Sequence, residues 1–203
     1  MKNRFANLKK VPQQPAARLL AMANLKLDAE LQSPASAPVD VVLAELDAKA
    51  AFPDTLKLLS VALPPREAVW WACLAGRDLL AANPKLKPPR TLEAAEAWVF
   101  RPTEENRAAV QKSVDTAEND DDCVWCAMAA IYSAGNLGVG HMSEYPVAPE
   151  ALPAMVIKMV ILSLSVHAAD FEDHCRLVVD RALDIARGGS GQITPQAQLQ
   201  EGV

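Results

Sequence analysis

From Asp40 onward, apolar residues recur at three- and four-residue spacing, the period of a helix buried on one face. Asp40 stands as an N-cap before "VVLAELDAKAA", and Pro53 opens "PDTLKLLSVAL" at a first-turn position where its missing N–H costs nothing. A longer helix begins after Pro64 and Pro65, with Val69, Ala72, Cys73 and Leu80 near one face. "NPKLKPPR" breaks it, since proline cannot continue a helix. Thr91 and Thr103 then read as caps of two further helices; Ala94 and Asn106 hold the positions where a capping box would place an acid.

Two later segments set the expected core. "LPAMVIKMVILSLSV" is apolar on nearly every face, with Lys158 its sole charge, which predicts a central helix over Met155–Val166 surrounded by the others. "ADFEDHCRLVVDRALDIARGG" has the clearest amphipathic stripe: Phe171, Cys175, Val178, Val179, Ala182, Leu183 and Ile185/Ala186, stopped by Gly188. Between them and the preceding helix, Gly135 closes "CVWCAMAAIYSAG", and "GNLGVGHMSEYPVAPE" is a long loop. Its glycine order follows a helix rather than a strand, so it reads as a contact loop and not a phosphate cradle. The pattern predicts an all-α, single-domain bundle or irregular array of about seven helices over residues 40–188. Val69-Trp70, Ala97-Trp98 and Val124-Trp125 add a weak periodicity; "VWWACLA" aligns with "VWCAMAA", which falls short of a solenoid.

Composition supports helices packed through small side chains: 51% of residues are hydrophobic, aromatics are 5%, and glycines number 8 in 203. Charge divides the chain. Residues 1–27 hold Lys2, Arg4, Lys9, Lys10, Arg18 and Lys26 and no acid, so with the whole chain at −5 the remainder carries −11. Residues 1–39 therefore read as a basic arm, with "AARLLAMANLKL" a short docking helix and "QSPASAPV" a linker. Removing residues 1–27 is expected to leave the body folded. Residues 189–203 read as a disordered tail. Pro12, Gln13, Gln14 and Pro15 replace the apolar run of a secretory signal, and Ala154 to Val166 is too short to span a bilayer. The expected setting is the cytoplasm, with no membrane partner. Nucleic acid is disfavoured, because the arm lacks interleaved aromatics and the body repels phosphate.

Candidate chemistry centres on Cys123-x-x-Cys126. A reactive dithiol needs a lowered thiol pKa, whereas "NDDD" beside Cys123 raises it. A zinc site would need His174 and Cys175 as the second pair, and adjacent residues of a helix point about 100° apart. The four cysteines are therefore expected in the core. Asp120, Asp121 and Asp122 complement a helix N-terminus, and they lack the spacing of a calcium loop. His141, His167 and His174 are the only histidines, and no Gly-x-Ser-x-Gly, His-Glu-x-x-His or P-loop is present. No catalytic, cofactor-binding or metal residue is assigned.

"LPPREAVWWACLA", "RPTEENRAAVQKSVDTA" and "YSAGNLG" followed by "PVAPEALPAMVIKMVIL" resemble a family of small uncharacterised all-α bacterial proteins associated with type VI secretion clusters. The resemblance spans Pro53 to Gly188 and carries structural motifs with no chemistry to transfer. "WC" at Trp125-Cys126 and "NDDD" depart from its Ala/Gly-rich pattern. The charge split, the long loop and the absence of reactive constellations point to a non-enzymatic interaction module, an adaptor or chaperone-like accessory whose partner is another protein, and the resemblance implies a secretion or effector setting for it. The alternatives are an immunity protein binding a basic toxin through its acidic face, and a zinc or dithiol protein. The expected contact residues are Arg4, Lys9, Lys10 and Arg18 of the arm, Asp120, Asp121 and Asp122, and Asn136, His141 and Tyr145 of the loop.

Overall fold

Proline and glycine set the boundaries of an all-helical fold. The computed structural model describes residues 4–83 and 85–193. Among them are nine α-helices: α1 Ala16–Met22, α2 Val39–Ala48, α3 Phe52–Ala62, α4 Pro65–Ala81, α5 Arg90–Phe100, α6 Glu104–Asp115, α7 Val124–Tyr132, α8 Ala151–Ser165 and α9 Phe171–Arg187. The described residues contain no strand, only two isolated bridge pairs, Pro15 with Pro38 and Asn136 with Pro146. Pro53 and Pro65 lie in the first turns of α3 and α4, where their fixed φ suits the helix. Gly188 ends α9 at φ +103°, and its N–H reaches back to the carbonyls of Asp184 and Ile185, a turn that a Cβ would strain. Thr103 caps α6 by accepting from the Asn106 N–H at 3.2 Å.

Two expected caps do other work. α2 starts at Val39 behind Pro38, which places Asp40 inside its first turn. α5 starts at Arg90, and Thr91 is buried in its first turn, donating to Asp121 at 2.6 Å. Phe171, expected in the buried stripe of α9, is 49% exposed, because it opens the helix beyond the reach of the core. The rest of that stripe is buried.

Three helices, α4, α7 and α8, each pack against four others, and α7 does so against α4, α5, α6 and α8. α4 packs against α5, α7, α8 and α9, and α8 against α3, α4, α7 and α9. α8 keeps Ala154, Lys158, Ile161 and Ser165 exposed along one edge, a stripe that its uniformly apolar sequence conceals. α4 and α7 both lie on α8, and the aligned pairs Ala68/Cys123, Trp71/Cys126 and Ala72/Ala127 are buried, Cys123 just before the first turn of α7.

The basic segment is laid into the core. Phe5, Leu8, Val11, Leu19 and Leu20 are buried within the same apolar cluster as Leu43, Trp71 and Leu183. The Lys10 N–H donates to the Ala186 carbonyl at 2.8 Å. Arg187 at the end of α9 donates to the carbonyls of Ala6 and Arg4. The stretch leading into the expected linker is held by Asp54, which accepts from the N–H groups of Asp28 and Ala29 at 2.9 and 2.7 Å, and the linker itself is tied down where Glu45 accepts from Ser33. Of the expected tail, residues 189–193 fold back, with the Ser190 carbonyl accepting from Trp70 Nε1 at 2.6 Å; residues 194–203 lie outside the described residues.

This packing reverses the expected result of truncation. Removing residues 1–27 uncovers the apolar surface beneath Phe5, Leu8 and Leu20, so the thermal transition falls or is lost. Phe5→Ala alone costs about 3 kcal/mol in denaturant unfolding. An unchanged midpoint for either variant would place the segment outside the core.

Candidate functional site

The arm's charges are shared between the body and solvent. The Arg4 guanidinium reaches Asp180 on α9 at 2.7 Å and Asp47 on α2 at 2.8 Å, and Lys10 pairs with Glu67 on α4 at 2.9 Å. Part of the body's acidity is thus matched by its own N-terminal segment. Lys9 and Arg18 are exposed.

The loop after α7 is built from its root. Arg107 on α6 is almost fully buried, and its guanidinium donates to the Ile131 carbonyl at 2.8 Å and to Asn136 Oδ1. It satisfies a carbonyl left over at the end of α7 and fixes Asn136 near the start of the loop. The neck is closed by backbone bonds: Leu137 N–H to the Tyr145 carbonyl at 3.0 Å, and Val147 N–H to the Gly135 carbonyl at 3.1 Å. Gly135 and Gly140 turn the chain at φ +77° and +59°. Gly140–Glu144 forms a 3₁₀ turn, and His141 and Tyr145 are joined edge-to-face, with Tyr145 Oη 3.2 Å from His141 Nε2. His141, Met142 and Tyr145 are presented to solvent on a shaped loop, while Asn136 belongs to its root. Sequence reading missed Arg107, because a lone arginine at helical spacing looks like a solvated face. Its position in "RPTEENR" gave no burial signal.

The cysteines sit between helices. Cys73 on α4 and Cys123 and Cys126 at α7 are buried around Gly76, where an added Cβ would stand 3.3 Å from Cys126 Sγ and 3.6 Å from Cys123 Sγ. Cys126 Sγ donates to the Ala72 carbonyl at 3.3 Å. Burial, and then Asp121, push the Cys123 thiol up to about 12; burial and contact with Cys73 hold Cys126 well above the ordinary thiol range. Thiols so raised are poor nucleophiles and poor ligands. Cys175 is buried on α9 among different neighbours, and among the described residues no group of three or more His, Cys, Asp and Glu is placed to hold a metal ion.

The three aspartates divide. Asp121 accepts from the Cys123 N–H at 2.9 Å and from Thr91, locking the start of α7. Asp120 and Asp122 are exposed.

A second polar centre lies under α9. His174 is buried, with Nε2 3.4 Å from Ser163 Oγ and 3.6 Å from Asp78 Oδ2. His167 stacks on it with centroids 3.9 Å apart, and Arg181 is paired with Asp78. Ser163 and His174 meet through the same nitrogen that faces Asp78, so no proton relay runs through the ring, and Ser163 is fully buried. The cluster joins α4, α8 and α9. Burial first, then the facing His167, lowers the His174 pKa; Asp78 opposes the shift and Arg181 adds to it.

Residues 42–186 match the model of a family of unknown function, DUF6931, and the chain belongs to that family. The match spans nearly all of α2 to α9. No curated protein and no solved structure matches the chain. No described helix is by itself long and apolar enough to cross a membrane.

Thiol chemistry and pH each give a test. The native protein is expected to consume almost no aromatic disulfide reagent at pH 8, about 4 units below the Cys123 value, and all four cysteines react once it is unfolded in guanidinium. Rapid labelling of Cys123 or Cys126 in the native state would restore the dithiol reading. For His174, a lowered folded pKa means that the unfolded chain binds the proton more readily. Its stabilising contribution is therefore full above the ordinary histidine value of about 6.5 and is lost as pH falls below it. The melting temperature should drop between about pH 7 and pH 5, with a shallower drop in His174→Gln. An unchanged slope in that variant would assign the acid sensitivity to other groups.

Proposed function

We propose that this member of DUF6931 is a non-enzymatic protein-interaction module, an adaptor or chaperone-like accessory that acts in the bacterial cytoplasm. The observation that carries the reading is the 135–147 loop. Its neck is closed by backbone hydrogen bonds, its root is held by the buried Arg107, and its tip offers Met142, His141 and Tyr145 to solvent. A loop ordered before it meets a partner loses less conformational freedom on binding, and tyrosine is enriched among residues that dominate interface energies. The resemblance to proteins of type VI secretion clusters supports a secretion or effector setting.

A second reading, an immunity protein that neutralises a basic toxin, is favoured by Glu118, Asp120 and Asp122, which are exposed with no ion pair among the described residues. Such acids accelerate association with a cationic partner more than they tighten the complex. Zinc or dithiol chemistry gains nothing from thiols raised by burial.

The test is affinity capture from the native host with wild-type bait and with Met142→Ser/Tyr145→Ala, both changes being at exposed positions. The expected result is a partner held by the wild type and lost by the variant, at an unchanged melting temperature. A partner retained by the variant would move the contact away from the loop. No specific partner with either bait would remove the adaptor reading.

A further inference from the structure

At the other end of α7 from the contact loop, the surface forms a groove of about 600 Å³. Its apolar lining comes from Leu79 and Leu80 on α4, Leu86 in the α4–α5 connection and Val166 at the end of α8. Leu86 and Val166 are 55% and 43% exposed, although they are side chains that gain by leaving water. Glu118, Asp120 and Asp122 line the same groove from the α6–α7 connection, and Lys87 is the one base among its described lining residues. These three acids make no ion pair among the described residues. The ends of α4 and α8 also lie here, and helix C-termini carry partial negative charge. The opposing N-terminus of α7 is already occupied by Asp121, which accepts the Cys123 N–H.

The groove therefore couples an unburied apolar strip to an unneutralised acidic rim. We infer that this groove binds a basic amphipathic helix of another protein, which sets Leu-like side chains on Leu80, Leu86 and Val166 and Lys or Arg side chains against Glu118, Asp120 and Asp122. The inference rests on the interaction-module reading and names the partner chemistry of a second surface. Charge selects this occupant over the chain's own C-terminal residues: positions 194–203 contain Glu201 and neither lysine nor arginine. The chain's own basic segment is held elsewhere, on α2, α4 and α9.

The probe is a fluorescein-labelled Leu/Lys peptide of about 18 residues, a helix of about 27 Å with leucine on one face. Its control has the same composition with the leucines scattered around the helix. Anisotropy at physiological salt is expected to show saturable binding of the amphipathic peptide, about tenfold tighter than of its control. Asp120→Asn/Asp122→Asn should weaken it about tenfold, as should Leu86→Ser/Val166→Ser, which leaves the charge unchanged. Hydrogen exchange should show protection at residues 79–89 and 118–123. Equal binding of the two peptides, indifference to both double variants, or protection elsewhere would overturn the inference. So would a dimer that Leu86→Ser/Val166→Ser dissociates, since a second copy would then be the occupant. If these peptide results fail while the Met142/Tyr145 variant still loses a captured host partner, the groove falls and the interaction module stands. Peptide binding at the groove with no host partner captured would keep the groove and remove the adaptor role.

Discussion

The close approach of α4 to α5 and α7 at Gly76 is the constraint around which the rest of the molecule is arranged. A Cβ at this position would meet Cys126 Sγ and Leu92 Cδ1 at 3.3 Å, tighter than ordinary van der Waals contact. With only a hydrogen there, α4 can approach α5 and α7 together, and the small buried residues Ala68, Ala72 and Ala75 lie along the same helix. Close contact maximises dispersion between helices that have few aromatics to bury. Cys73, Cys123 and Cys126 belong to this arrangement as small, polarisable fillers between helices, and burial removes the reactivity that the Cys-x-x-Cys spacing suggests.

Buried polar groups then fix how peripheral elements meet the bundle. Arg107 ties α6 to the end of α7 and to the loop; Asp54 ties the segment before α2 to α3; the Asp78, Arg181 and His174 cluster ties α9 to α4. Each is costly to leave unsatisfied in the interior, so each specifies one docking geometry. The N-terminal segment follows the same logic at the surface. Its apolar residues provide the burial, while Arg4 is shared between Asp47 and Asp180 and Lys10 pairs with Glu67. The family match begins at residue 42, so this stabilising strap lies outside the matched region although it packs into the shared core.

Function, in this arrangement, belongs to what the core leaves uncovered. α7 is a short rod with a shaped loop at one end and an acidic, apolar-lined groove at the other. Both surfaces are built on helix ends, where leftover backbone groups and connection residues escape the burial that fixes the helix interiors. The proposed interaction module and the proposed helix-binding groove thus use opposite ends of the same helix.

The sequence by itself determined the elements. Periodicity, Pro53, Pro65 and Gly188 gave helices and their boundaries, because these signals act through a few residues of local backbone. The burial of the four cysteines was also legible, from apolar context and neighbouring acids. The tertiary structure alone decided which face each helix covers. It buried Arg107, which looks solvated in sequence; it exposed Phe171 and the edge of α8 at Ile161, which look like core; and it laid the basic arm along α2, α4 and α9. Those outcomes depend on partners more than 20 residues away in the chain, such as Arg107 with Ile131 and Arg4 with Asp180. No local pattern encodes a contact whose other half is supplied by a distant helix.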